Sequence, residues 1–135
     1  MIFFVGYYSK FSLDVIDINN TGCDPNEIAS YMLDMSEKFD KFYPFEDELR
    51  SFLDENNPDF EKHYKLCLPD CGESTWSEHE KDMKELSNIF KDILFRLHGE
   101  GERVTDKWNK YFMNGKMQYC QGEVMYPPFN KEKLK

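Results

Sequence analysis

The dipeptide Asn114-Gly115 constrains the fold of this chain more strongly than any other feature, because it separates two segments in which apolar and polar residues alternate. A two-residue hairpin loop of type I′ needs a positive φ at both central positions, and Asn-Gly meets that need at little cost. The sequence therefore predicts a β-hairpin within residues 108–126. The turn also sets the register, in which Met113 opposes Lys116.

This register distributes the hairpin side chains over two faces, since neighbouring residues of a strand point to opposite sides of a sheet. The other predicted pairs are Phe112 with Met117, Lys110 with Tyr119, and Trp108 with Gln121. One face carries Trp108, Phe112, Met117 and Tyr119. The opposite face carries Tyr111, Met113 and Cys120.

Two longer segments have apolar residues at the spacing of amphipathic helices. In the first, Asp24 is predicted to cap the helix and Pro25 to occupy the first helical position. Its apolar stripe contains Ile28, Tyr31, Met32, Met35 and Phe39. In the second, two overlapping capping boxes compete, and these are Thr75 with Glu78 and Ser77 with Glu80. Its apolar face carries Trp76, Met83, Leu86 and Phe90.

Alternating segments within residues 3–18, 62–69 and 92–98 predict three more strands, and residues 45–56 predict a short helix. The order is then strand, helix, short helix, strand, helix, strand, strand. This order predicts one α+β domain over residues 1–135, with two main helices packed on one face of a mostly antiparallel sheet and a C-terminal β-hairpin. It is close to a ferredoxin-like order without matching it strictly, so a ferredoxin-like variant is expected.

The charge is unevenly distributed along the chain, whose formal net charge is −9. Residues 24–102 hold 21 acidic and 9 basic residues, whereas residues 103–135 hold 3 acidic and 7 basic residues. An acidic body repels phosphate backbones, so direct binding of nucleic acid is disfavoured. The same charge attracts a basic protein surface. The predicted helices supply the acidic candidates for such binding, namely Asp34, Glu37, Glu78 and Glu85.

The four cysteines leave three interpretations open. Cys67 and Cys71 lie near His63 and His79, which permits a zinc site, a disulfide or ordinary buried thiols. The usual Cys-x-x-Cys knuckle and its second pair are missing. No signal-peptide pattern and no run of about 20 apolar residues occurs in the sequence, so a cytoplasmic protein with reduced thiols and no membrane association is expected.

The segment His98-Gly99-Glu100-Gly101-Glu102 also has two interpretations. On an extended strand, His98, Glu100 and Glu102 project to one face, as metal ligands or acid/base groups would. Alternatively, they form an ordinary polar ladder beside Arg96, and the glycines let the strand twist into a loop. No His-Glu-x-x-His, P-loop or nucleophile-elbow pattern accompanies the segment, so the sequence predicts no cofactor and no enzymatic activity.

Aromatic residues outnumber the positions that a small core offers, and some are expected at the surface. The candidates are Tyr7, Tyr8, Tyr111, Met113 and Tyr126. Tyr and Met are enriched at the centres of protein interfaces, so such a patch beside acidic helices would bind a protein. The alternative is that these residues cover the open sheet face against the short helix or a second subunit.

Residues 75–125 carry a resemblance to a known group of proteins. They combine a Trp near a helix start, a Leu-Ser-x-x-Phe helix exit, an Ile-Leu-Phe-x-Leu strand ending in Glu-Gly-Glu, and the aromatic "DKWNKYFMNGKMQ" hairpin. This segment resembles small phage and plasmid proteins that carry a truncated ferredoxin-like domain of the YubB type. The resemblance implies an α+β fold and an origin in a mobile element. It implies no catalytic residues.

These observations favour a small acidic binding protein that inhibits or modulates a host protein with a basic surface, such as a defence or nucleic-acid-handling protein. In this hypothesis carboxylates attract the partner and aromatics supply the desolvated contact. A second hypothesis is a small metal-dependent or acid/base enzyme that uses His98, Glu100 and Glu102. A third is a homodimer formed through the sheet.

Overall fold

The computed structural model of the 135-residue chain describes residues 9–55, 66–69, 72–102, 106–122 and 127–135. The predicted candidates His63, Cys71, Tyr7, Tyr8 and Tyr126 lie outside these residues. Within the described ranges, the chain forms both helices and strands, as the α+β prediction requires. No helix in these ranges has the length and apolar character needed to cross a membrane.

The sheet is antiparallel at each of its described pairings. Its strands are β1 (Ser9–Ile16), β2 (Cys67–Leu68), β3 (Glu73–Ser74), β4 (Leu94–Glu100), β5 (Lys107–Met113) and β6 (Lys116–Gln121). The order across the sheet is β2-β1-β4-β5-β6, and β3 also pairs with β1. The α+β class is therefore confirmed, whereas the ferredoxin-like arrangement stays a prediction.

The predicted hairpin is confirmed in detail. Asn114 and Gly115 have φ values of 53° and 80°, as a type I′ turn requires. The four predicted residue pairs are all observed between β5 and β6. The turn is also attached to its surroundings, because Asn114 Oδ1 accepts the backbone N–H of Asp92 at 2.8 Å and the Gly115 N–H donates to Ser87 Oγ at 2.9 Å.

The described helices are α1 (Pro25–Phe39), α2 (Glu46–Phe52) and α3 (His79–Ile89). The cap of α1 is confirmed, since Asp24 Oδ1 accepts the Asn26 N–H at 2.9 Å and Pro25 is the first helical residue. Neither predicted capping box starts α3, which begins at His79 after an N-cap residue, Glu78, that makes no side-chain cap. The prediction placed the start of this helix too early.

The inner face of the sheet carries the apolar core. Its buried residues are Phe11, Leu13 and Val15 from β1, Leu68 from β2, Phe95 and Leu97 from β4, and Phe112 from β5. Buried residues of the three helices join them in one cluster: Ile28, Ala29, Met32, Leu49, Phe52, Met83 and Leu86. The predicted stripe of α1 is wrong at its last member, because Phe39 is 63% exposed.

Trp76 occupies the centre of an aromatic group within this core. Its ring makes edge contacts with Phe11, Phe42 and Phe45, whose centroids lie 5.3–5.9 Å away. Its indole N–H donates to Asp82 Oδ2 at 2.8 Å. The three ring contacts are edge-to-face, which is a preferred geometry of aromatic pairs.

Candidate functional site

The outer face of the sheet carries four of the residues that the sequence singled out, namely His98, Glu100, Tyr111 and Met113. His98 Nδ1 lies 2.8 Å from Asn109 Oδ1, and His98 Nε2 lies 3.2 Å from Glu100 Oε1. The hydrogen bond with His98 lowers the pKa of Glu100, and the charge of Lys107 contributes in the same direction. Each of these side chains is satisfied by a neighbour on the same face, as in an ordinary polar ladder.

Glu102 does not join His98 and Glu100, because β4 ends at Glu100 and Glu102 lies exposed beyond it. No group of three or more His, Cys, Asp or Glu side chains suited to a metal ion occurs among the described residues. The prediction that the glycines loosen this segment into a loop is wrong for Gly99, which is buried within β4 and covered by the Trp108 ring. The polar-ladder interpretation therefore describes His98 and Glu100.

A second row on the outer face runs through Asp14 and Arg96. Asp14 Oδ2 accepts hydrogen bonds from Arg96 Nε at 3.2 Å and from its Nη2 at 2.5 Å, and Asp14 Oδ1 accepts one from Cys67 Sγ at 2.9 Å. The hydrogen bond with Asp14 raises the pKa of Arg96. Cys67 is a free and exposed cysteine, so of the three interpretations that the sequence left open, that of a buried thiol is wrong for this residue.

A zinc site shared by Cys67 and His79 is excluded by their places in the fold. Cys67 contacts Asp14 on the outer face, whereas His79 stacks on Trp108 on the inner face. Both ring nitrogens of His79 are also occupied, with Nδ1 2.9 Å from the Trp76 carbonyl and Nε2 2.7 Å from Lys110 Nζ. The sheet itself therefore separates the two candidate ligands.

Tyr111 and Met113 lie on the outer face, as the register predicted, and both are half-buried. They line a shallow depression of about 370 Å³ together with Leu94 and Lys116. Neither is among the exposed large apolar side chains of the described residues, which are Ile18, Phe39, Tyr43, Ile89, Tyr119, Phe129 and Leu134. Two of these exposed residues are aromatic and belong to the region of the acidic helices: Phe39 ends α1, and Tyr43 lies between α1 and α2. The sequence analysis did not select either of them as a binding residue.

The four acidic helix candidates lie at the protein surface, and three of them have neighbours of opposite charge. Asp34 pairs with Lys38 at 3.0 Å, and Glu37 pairs with Arg50 at 3.6 Å. Glu78 is the exposed N-cap residue of α3.

The fourth candidate, Glu85, links α3 to the segment that follows α1. Its Oε2 lies 2.5 Å from Lys41 Nζ, and this hydrogen bond raises the pKa of Lys41. Lys41 also lies close enough to Asp82 for their charges to interact. Lys41 thus links Asp82 and Glu85 of α3 to the segment that follows α1.

An acidic helical surface is formed where α1 ends and α2 begins. We define it by Glu37, Phe39, Asp40, Tyr43 and Asp47. Phe39 is 63% exposed and Tyr43 is 40% exposed. Arg50 joins the two helices, since its guanidinium lies 3.6 Å from Glu37 on α1 and 3.4 Å from Glu46 on α2. Exposed aromatic rings and exposed carboxylates therefore occur in the same short segment, residues 37–47.

The backbone between these helices is held in an uncommon conformation. Asp40 and Phe42 both have positive φ values, 55° and 56°. The Asp40 N–H closes α1 by donating to Ser36, and Phe42 is fully buried. Burial of Phe42 anchors the chain in the core between the two exposed rings of Phe39 and Tyr43.

A polar group on the inner face was missed by the sequence analysis. Lys110 is only 8% exposed, although it carries an ammonium group. Its Nζ lies 2.7 Å from His79 Nε2, 2.9 Å from Glu80 Oε1 and 4.2 Å from the Trp108 ring centroid. The bond from Lys110 lowers the pKa of Glu80. The sequence did contain an indication of this group, because the register predicted for the hairpin placed Lys110 on the same face as Trp108 and Phe112.

The start of α1 borders a cleft of about 550 Å³. Asp17 lines it, but this carboxylate accepts the Thr21 N–H at 2.8 Å and the Gly22 N–H at 2.9 Å, and these bonds lower its pKa. Cys23 also lines the cleft, and burial raises the pKa of its thiol. A thiol with a raised pKa is a poor nucleophile, so Cys23 is not activated for nucleophilic chemistry.

These regions differ in what they can do chemically. The polar side chains of the outer face and of the Lys110 group satisfy one another, while the acidic helical surface presents aromatic rings and carboxylates to solvent. Comparison with known proteins found no matching family model, no matching curated protein and no matching solved structure.

Proposed function

We propose that this chain is a non-enzymatic acidic protein that binds a basic surface of another protein through its acidic helical surface. The observation that carries the proposal is the exposure of Phe39 and Tyr43 in the same short segment as the exposed carboxylates of Glu37, Asp40 and Asp47. Aromatic residues are enriched at the centres of protein interfaces, and polar residues form the rim around them.

The aromatic rings can supply a large part of the binding energy. A Phe side chain buries about 200 Å² when it is fully covered, so the exposed 63% of Phe39 offers roughly 120 Å². At about 25 cal/mol per Å², covering it would contribute about 3 kcal/mol before the costs of association. Tyr43 adds apolar area and a hydroxyl that can reach a polar partner at the rim.

The carboxylates contribute to the rate and specificity of binding more than to its strength. Exposed charges steer a partner of opposite sign during diffusion, and salt screens that attraction over a Debye length of about 10 Å at 0.1 M. Arg50 holds Glu37 and Glu46 in place before binding, so part of the ordering cost is met within the free protein.

The identity of the partner rests on the resemblance of residues 75–125 to phage and plasmid proteins. We infer a host protein with a basic surface, in the class of defence or nucleic-acid-handling proteins, which this chain would inhibit or modulate in the cytoplasm. A ferredoxin-like origin of the fold belongs to the same inference. The sign of the charge supports it, because proteins that handle nucleic acids present basic surfaces.

The test compares captured proteins between two matched variants. Phe39→Ser removes an exposed ring from the acidic helical surface. Phe129→Ser removes a ring that is 78% exposed in the basic C-terminal segment. Immobilised wild type and both variants would be exposed to a bacterial lysate and eluted with rising salt.

Support requires a basic partner that wild type and Phe129→Ser retain, that Phe39→Ser loses, and that elutes as salt rises. Capture that is equal in the two variants would contradict the role of the surface. Elution that is independent of salt between 50 mM and 500 mM would contradict electrostatic steering.

A further inference from the structure

The hydrogen bonds around His79 define which of its nitrogens carries the proton. An ammonium group only donates hydrogen bonds, so Lys110 donates to His79 Nε2 across 2.7 Å. The single proton of the neutral ring is then on Nδ1, which donates to the Trp76 carbonyl at 2.9 Å. The arrangement therefore requires a neutral imidazole in one tautomer.

Protonation of His79 would disrupt this arrangement. The new proton would be on Nε2, where it would point at the Lys110 ammonium, so that two donors and two positive charges would meet. Lys110 is confined, because it is 8% exposed and its other contacts are with Glu80 and with the Trp108 and Tyr119 rings. Either the imidazole stays neutral or the contact opens.

The charged groups around His79 come from two elements. Glu80 and Asp82 of α3 favour the protonated ring, whereas Lys110 of β5 disfavours it. Apolar and aromatic surfaces complete the environment: the Trp108 ring stacks on the imidazole at 5.2 Å, and Phe11 and Trp76 contact it from 5.5 and 6.0 Å. Burial is the largest influence and lowers the pKa of His79.

We propose that the His79–Lys110 contact is a pH-sensitive switch, which holds the start of α3 against β5 while His79 is neutral and releases it when His79 is protonated. This inference goes beyond the proposed binding function and does not depend on any partner. The local consequence is limited to the contacts that Lys110 shares, namely those with Glu80 and with the Trp108 and Tyr119 rings.

The direction of the pH effect follows from linkage. The folded state binds a proton at His79 less readily than the unfolded state, whose histidine has the ordinary pKa of 6.5. The free energy of unfolding is thus highest above that value and decreases as the pH falls toward the lower pKa of the folded state. The switch opens at a lower pH than 6.5, as His79 of the folded protein takes up its proton.

The experiment follows two NMR signals during a titration from pH 8 to pH 4.5. Histidine labelled with ¹³C at Cε1 reports the protonation of His79, and the His79→Gln spectrum identifies its signal. The indole ¹⁵N–¹H resonance of Trp108 reports whether the stacked ring and the Lys110 ammonium have moved apart. His98→Gln is the matched control, because His98 lies on the outer face.

In wild type and His98→Gln, the Trp108 resonance is expected to shift with the same midpoint as His79, while the far-UV circular dichroism stays native. His79→Gln should lose this shift. A Trp108 resonance that is insensitive to pH in wild type, or a shift that persists in His79→Gln, would overturn the proposal.

Two charge variants separate the switch from a merely structural contact. Lys110→Met removes the repelling charge and should move the His79 midpoint upward. Glu80→Gln removes an attracting charge and should move it downward. If Lys110→Met does not fold, Glu80→Gln still decides the matter, because an unchanged or raised midpoint there contradicts the proposal. An unchanged or lowered midpoint in a folded Lys110→Met protein contradicts it as well.

Discussion

Adding one methyl group at Gly99 is expected to destabilise the protein by about 2 kcal/mol, because the Trp108 ring occupies the place of a side chain at this position. A Cβ built on Gly99 would lie 2.1 Å from Cζ2, 2.3 Å from Cε2 and 2.7 Å from Cη2 of that ring. Carbon atoms in contact normally lie about 3.5–4.0 Å apart. Gly99→Ala therefore forces the indole to move by more than about 1 Å.

The cost can be worked from what the Trp108 ring contacts. It stacks on His79 at an interplanar angle of 16°, meets Phe11 edge to face at 6.0 Å, and lies under the Lys110 ammonium at 4.2 Å. Such contacts contribute roughly 0.5–1.5 kcal/mol each, and a displaced ring weakens all three. Alanine in a strand recovers roughly 0.5–1 kcal/mol relative to glycine, which leaves a net loss of about 2 kcal/mol.

The assay is urea unfolding followed by far-UV circular dichroism, performed as a double-mutant cycle. Gly99→Ala is compared in the wild-type background and in a Trp108→Leu background, where the indole is absent. In the second background the methyl group should cost nothing, or stabilise by about 0.5 kcal/mol. An equal loss in both backgrounds would refute the reasoning, since the clash with Trp108 could not then be its cause.

Three further predictions concern local elements of the fold. Gly115→Val should lower the free energy of unfolding by about 1–3 kcal/mol in urea unfolding, because the φ of 80° at this position suits no β-branched residue. Gly115→Asn should cost less, because asparagine tolerates a positive φ better. Equal losses in the two variants would contradict backbone strain as the cause. Asp24→Ala should cost about 1 kcal/mol in the same assay by removing the cap of α1, and Asp24→Ser should restore most of it. The Lys110 bond lowers the pKa of Glu80, so its contribution is present above the ordinary value of 4.5 and is lost as the pH falls through the lower folded value. Unfolding measured from pH 6 to pH 3 should therefore show a steeper acid-side loss in wild type than in Glu80→Gln, and equal slopes would contradict the link.

The hairpin could be predicted in detail because its information is local. Asn114-Gly115 sets the turn, the turn sets the register, and the register assigns every side chain of β5 and β6 to a face. The cap of α1 was predictable for the same reason, since Asp24 and Pro25 act on the residues next to them. Neither feature depends on how distant segments pack.

The start of α3 could not be read in this way, because tertiary packing overrides the capping signals. Trp76 is 2% exposed and contacts rings from β1 and from the segment between α1 and α2. The predicted helix would have included residue 76, whereas α3 begins only at His79. Neither the Thr75–Glu78 nor the Ser77–Glu80 capping box therefore starts the helix.

The periodic pattern of α1 extends one position too far at its C-terminal end. Phe39 continues the spacing of the buried residues, yet it is the last helical residue and the chain turns at Asp40 with a φ of 55°. The spacing of apolar residues predicts which face of a helix is apolar, but it does not predict whether other residues cover that face at every turn. The described core does not reach the last turn of α1, so the Phe39 ring is exposed and belongs to the acidic helical surface.

For the candidate site, the sequence placed the strand residues correctly but not their partners. The face shared by His98, Glu100 and Arg96 followed from alternation. The Lys110 group needed a contact between β5 and α3, which are about 30 residues apart in sequence. A lysine predicted on an apolar face indicates a buried partner of opposite charge, although the pattern does not name it.

The same group explains how α3 is positioned along the hairpin. His79 of α3 contacts Lys110, and Ser87 accepts the N–H of Gly115. Residues 79 and 87 lie about 12 Å apart along the helix, so α3 is attached to β5 near its start and to the hairpin turn near its end. The apolar side chain of Met83 comes between them in the helix and is fully buried. A shift of α3 by one turn, about 5 Å, would separate both polar pairs, so these pairs stabilise the observed position of the helix.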